Sequence, residues 1–140
     1  MPHPPKCLAI IVCDDVIEDK RTGKKSIIGA FNQIWSTSFP SQHDKLVLFV
    51  SLTDGKGESD LTVRVVRELQ PDYSGEEIFR LAGKVKFGNP LDVAELVLTM
   101  HKLLLPQSGN YTVLVEVGGG IVGERRIRVE QVERSQANHD

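Results

Sequence analysis

An all-β antiparallel sandwich is the fold class this sequence predicts, and three observations carry it. Leu61, Val63 and Val65, then Phe79, Leu81, Val85 and Phe87, recur on alternate positions, with Thr62, Arg64, Arg80, Lys84 and Lys86 between them. A period of two marks strands with one wet face and one buried face. Leu104 to Gly109 reads as a turn, and the strand after it opens with Tyr111. In two-sheet sandwiches a tyrosine at that place ties the corner with its hydroxyl. Gly118-Gly119-Gly120 then supplies the positive φ of a tight hairpin joining Val117 to Ile121. Tyr111, Gly109 and Gly119 are therefore the residues expected to carry structural weight.

The elements follow in order. Residues 1–6 read as a flexible N-terminus, residues 7–132 as one sandwich domain and residues 133–140 as a tail without periodicity. Cys7 to Val12 is apolar on both alternating faces, which suits a strand covered from both sides. Lys20-Arg21-Thr22-Gly23-Lys24 has hairpin chemistry. Ser26 to Trp35 is read as one strand with a bulge or close approach at Gly29, and Ser36 to Lys45 as a loop marked by Pro40. Leu46 to Leu52 is again apolar on both faces, and Asp54-Gly55-Lys56-Gly57 turns the chain.

Leu61, Val63, Val65 and Leu69 are placed on the inner face of the next strand, and Phe79 to Phe87 repeat that rhythm after a loop at 71–75. Residues 90–103 fit two readings. Asn89 and Pro90 open helices well, and Ala94, Leu98, His101 and Leu105 would share a stripe; against that, Val93, Val97 and Thr99 are β-branched. The strand is preferred because a strand normally precedes the tyrosine corner. Tyr111 to Val117 and a last strand with Ile127 and Val129 inward complete about eight strands.

The chain has 140 residues, enough for one domain that buries roughly two thirds of its unfolded surface. Hydrophobic residues make up 40% and charged residues 26%, which argues against disorder. A net charge of -2 gives no whole-chain attraction for nucleic acid or anionic lipid. Met1 to Lys6 does not read as a secretory signal, and no apolar run approaches the roughly 20 residues of a membrane helix. Cys7 and Cys13 lie on one expected strand, about 20 Å apart at about 3.3 Å per residue, beyond the roughly 7 Å limit for a bridge. They read as buried thiols in a reducing compartment, so a cytoplasmic location is expected.

Three ordered segments carry a resemblance. They are Cys13-Asp14-Asp15-Val16-Ile17 with Thr22 to Phe31, then Phe39-Pro40 with Leu52 to Gly57, then Leu104 to Val132. Together they resemble an uncharacterised bacterial family of small β-sandwich proteins, a domain of unknown function, from about Leu8 to Val132. The resemblance implies an immunoglobulin-like sandwich and a bacterial intracellular setting. It brings no reaction, cofactor or active-site residue with it.

Candidate sites are few. Asp14, Asp15, Glu18 and Asp19 form the densest acidic cluster, but calcium needs roughly six to eight oxygen ligands on a curved loop. Pairing of Glu18 and Asp19 with Lys20, Arg21, Lys24 or Lys25 across the hairpin is the expected use. His3, His43, His101 and His139 are scattered, without zinc spacing, and no metal or other cofactor is expected. The glycine run is followed by neither Lys-Ser/Thr nor a helix, so it is no phosphate cradle. Lys20, Arg21, Lys24 and Lys25, and Arg126 with Arg128, lack interleaved aromatics, which disfavours nucleic acid. Trp35, Phe49 and Tyr73 are the candidate interaction residues; core packing is the first reading of Trp35, an interface anchor its alternative.

The function expected is a non-enzymatic interaction or structural module that binds protein or a second copy of itself. Its motive is the surplus apolar face on Leu8–Val12 and Leu46–Leu52, which asks for a cover. The alternative is a small metal-dependent or carboxylate-using hydrolase built on Asp14 to Asp19 with His43 or His101. It requires those groups to converge in one cleft.

Overall fold

A computed structural model describes residues 4–69 and 75–133. The described residues form nine strands: β1 (Lys6–Glu18), β2 (Lys25–Ala30), β3 (Gln33–Ser36), β4 (Ser41–Thr53), β5 (Gly57–Glu68), β6 (Gly75–Phe87), β7 (Val93–Leu105), β8 (Gly109–Val117) and β9 (Gly120–Gln131). They make two sheets, one ordered β2-β1-β4-β7 and the other β3-β9-β8-β5-β6. Every pairing is antiparallel except β3 with β9. The alternating residues of the sequence supply the layer between the sheets. Leu46, Leu48, Val50 and Leu52 of β4 meet Val63 and Val65 of β5, Val113 and Val115 of β8, and Ile127 and Val129 of β9. Each such side chain contributes roughly 1.5–3 kcal/mol relative to exposure.

Four expectations need correction. Ser26 to Trp35 is two strands, not one: β2 ends at Ala30, and β3 belongs to the other sheet. The chain crosses at Phe31 and Asn32, where Phe31 N–H donates to Val12 O and Arg128 N–H to Asn32 O, both at 2.9 Å. Gly29 prepares the departure with φ +68°, and the Asp14 side chain lies where its Cβ would stand. Residues 41–45 are strand rather than loop, because they pair with the far end of β7, from Ser41 opposite Leu105 to Lys45 opposite His101. Leu69 is exposed, because β5 ends at Glu68 and the alternation stops short of it. Cys7 is only half-buried; Cys13 is fully buried, and both are free thiols.

Residues 93–105 form a strand, which settles the helix alternative. Its inward parity passes from Met100 to Leu103 and Leu105 around Lys102, which has φ +54°. At the corner before β8, Tyr111 Oη donates to Gln107 O at 2.5 Å and accepts from Gln107 N–H at 3.3 Å. Beyond β8, Gly118 and Gly119 (φ +62° and +88°) form the two-residue turn between the paired Val117 and Gly120.

The outer face of the first sheet is covered by the chain's own hairpin. Val47 and Phe49 point away from the inter-sheet core, yet both are buried, Phe49 to 8% exposure. Lys25 on β2 reaches Glu95 on β7 at 3.1 Å, although those strands are opposite edges of one sheet. At about 4.8 Å per strand spacing, that contact requires the β1–β2 hairpin to curl across the sheet. Val16 and Ile27, opposite each other in the hairpin, are the half-buried residues on its inner side. Crossings between layers at β4–β5, β6–β7 and β7–β8, the parallel β3–β9 pair and the tyrosine corner make this an immunoglobulin-like sandwich.

Candidate functional site

The acidic cluster disperses along the hairpin. Asp15 pairs with Lys45 at 3.6 Å, and Asp19 Oδ1 accepts the backbone N–H of Arg21 and Thr22 at 2.8 and 3.1 Å. Asp19 therefore fixes the turn backbone instead of pairing with a lysine, and Lys25 is taken by Glu95. Among the described residues no three His, Cys, Asp or Glu side chains are placed to hold a metal ion.

Asp14 and His43 do share a wide cleft with Phe31 and Trp35. The Phe31 and His43 rings lie 5.8 Å apart, tilted by 51°. His101 is exposed on β7 opposite Lys45, so the groups invoked for a hydrolase divide between the cleft, the hairpin tip and β7.

Trp35 is 44% exposed, because β3 is an edge strand and its neighbour Ile34 takes the inward position. Phe49 lies beneath the hairpin and presents no free surface. Tyr73 falls outside the described residues. Gly109 opens β8 opposite Val129, and Gly119 is in the β8–β9 turn. Of the basic residues, Arg126 pairs with Glu68 at 3.5 Å and Arg128 with Glu130 at 2.6 Å.

The surface that stands out is the free edge of β7. Among the described residues β7 has a strand partner only on its β4 side, over the register Ser41↔Leu105 to Thr53↔Val93. From Val93 to His101 its only charged residue is Glu95. Val93 and Val97 stand 52% and 41% exposed on its outer face. On its inner side Leu96 and Leu98 share with Leu81 and Ala82 of β6 an apolar slot of about 190 Å³, where the two sheets part. A long, largely apolar edge is a template for another strand, since its outward N–H and C=O groups have no strand partner among the described residues. The apolar run is visible in the sequence, but nothing local shows that this strand lies at an edge.

Fold and surface together define an immunoglobulin-like sandwich with an open apolar edge at β7 among the described residues. The chain belongs to a family of unknown function (DUF6941), whose profile matches residues 8–130. No curated protein matches it. Among solved structures it is similar to an immunoglobulin-like protein from Pseudomonas aeruginosa, at 16% identity over 91% of this chain and 98% of that one, with a TM-score of 0.48. It is also similar to the alkylpurine DNA glycosylase AlkC of Pseudomonas fluorescens bound to DNA containing an abasic site analogue. There the identity is 13%, over 86% of this chain and 30% of that one, with a TM-score of 0.45.

Proposed function

We propose that this protein is a non-enzymatic interaction module that self-associates by pairing β7 with β7 of a second copy. The observation that carries the reading is the free β7 edge, with Val93 and Val97 exposed along it. A second copy suits the edge because the pairing is self-complementary. A two-fold axis at Val97 sets Val93 opposite His101 and Glu95 opposite Thr99; an axis at Leu98 sets Glu95 opposite His101. Neither register brings like charges together, and both place apolar side chains against apolar ones. The two free thiols support a reducing, intracellular setting for the assembly.

Light scattering on the eluting protein tests this reading. The expected result is a dimer at micromolar concentration that Val97→Lys with Val93→Lys converts to a folded monomer, since both side chains project into solvent. A wild-type protein that elutes as a monomer throughout that range overturns it.

A further inference from the structure

The cleft shared by Asp14 and His43 is lined from both sheets and measures about 650 Å³, within the roughly 300–1,000 Å³ of ligand sites. Gly29 to Trp35 line it without a break. Successive strand residues point to opposite faces, so Gln33, Ile34 and Trp35 share one cleft only through the edge of β3. Among the described residues β9 is the only strand paired with β3. Asn32 O and Ser36 O accept from Arg128 N–H and Val132 N–H, both at 2.9 Å, and so face β9. Strand backbone groups alternate in direction, so the N–H and C=O of Gln33 and Trp35 turn the other way, toward the cleft. They have no strand partner among the described residues.

The cleft also holds an unmatched charge. Asp14 is the only acid among its lining residues, which include neither lysine nor arginine. Its carboxyl sits over Gly29, in space that a Cβ there would fill, and has no hydrogen bond or ion pair among the described residues. Phe31 and Trp35 line the same cleft, and Trp35 is exposed. A guanidinium suits these groups together: its fork of donors matches a carboxylate, its plane stacks on aromatic rings, and it is weakly hydrated.

We propose that the cleft takes an extended peptide segment bearing an arginine. The peptide main chain pairs with Gln33 and Trp35 as an added strand, and its guanidinium meets Asp14 beside the aromatic residues. In strand addition the main-chain bonds give affinity and the side-chain contacts give specificity. A second copy entering through its own β3 fits less well, because Gln33–Ser36 carries no cation and leaves Asp14 unmatched. β3 and β7 belong to different sheets, so either edge can pair without the other.

Trp35 is the only tryptophan of the chain, so its fluorescence reports occupancy. The full chain is titrated with a capped pentapeptide of valine and threonine around one arginine. The expected result is a saturable change in emission. Binding should be about tenfold weaker or more with glutamate in the arginine's place, or with N-acetylarginine amide alone. Asp14→Asn should weaken binding of the arginine peptide about tenfold, the loss of a charge-assisted hydrogen bond. Gln33→Pro should weaken it similarly while circular dichroism stays unchanged, because an edge strand tolerates proline where the N–H faces outward. The proposal is overturned by absence of saturation, by equal binding of the glutamate peptide, or by unchanged affinity in Asp14→Asn or in folded Gln33→Pro. Equal binding of N-acetylarginine amide also overturns it, since the added strand would then contribute nothing.

Discussion

Tyr111 and Gln107 tie the corner before β8 through two hydrogen bonds on one phenol oxygen, given to Gln107 O and received from Gln107 N–H. The ring is fully buried while its oxygen reaches the backbone at the rim, so one side chain joins the core to the turn. Tyr111→Phe keeps the packing and removes both bonds. Urea unfolding should show a loss of about 1–3 kcal/mol. An unchanged midpoint would mean that the turn holds itself.

Phe49 is buried by the β1–β2 hairpin rather than by the opposite sheet. Phe49→Ala should therefore destabilise by about 3–5 kcal/mol, as a core truncation does. Ile28→Ala, on the exposed side of the same hairpin, should change stability by less than about 0.5 kcal/mol. Equal effects of the two substitutions in denaturant would show that the hairpin does not lie across Phe49.

Two surface carboxylates set the acid response. A hydrogen bond from Arg80 holds the Glu77 carboxyl below its ordinary range, and Lys84 does the same for Asp60. A carboxyl depressed on folding stabilises above its unfolded-state value, and that contribution is lost as pH falls through the folded-state value. Stability measured in urea should decline on the acid side, and the double variant Glu77→Gln with Asp60→Asn should flatten the decline. Because both groups are exposed, salt should shrink the effect. At the alkaline end burial pushes the Tyr111 phenol up, so its contribution is complete below the unfolded-state value and disappears as pH rises through the folded one. Tyr111→Phe should remove that alkaline step; its persistence in the variant would contradict the assignment.

Both thiols are pushed up chiefly by burial, and Cys13 also donates to Val47 O at 3.4 Å. A disulfide reagent should label the native protein slowly, Cys7 before the fully buried Cys13. Mass spectrometry of the labelled peptides reads the order. Cys13 reacting first would place the opening of the fold at β1 and contradict its burial.

Much of the architecture was legible because it is local. The alternation at Leu61-Val63-Val65 and Ile127-Val129 gave two inner faces directly, and the tyrosine and glycine run gave the corner and the hairpin. Features decided by distant partners were not legible. The end of β5 at Glu68, which leaves Leu69 outside, depends on its pairing with β6 and β8, and the break at Phe31–Asn32 depends on a backbone site offered by β9. The apolar double face of Leu46 to Leu52 correctly signalled a cover, but the cover over Val47 and Phe49 is intramolecular. Of the interaction surface, the sequence showed the apolar run of β7 without its edge position. An outer groove lined by Val66, Thr112 and Leu114 was invisible, since its walls come from β5, β6, β8 and β9.

The free β7 edge is most directly tested by amide hydrogen exchange at increasing protein concentration. If β7 pairs with a second copy, those amides between Val93 and His101 that point away from β4 should exchange rapidly in dilute solution and become protected as concentration rises. Exchange at those amides that stays fast and independent of concentration would contradict self-association through this strand.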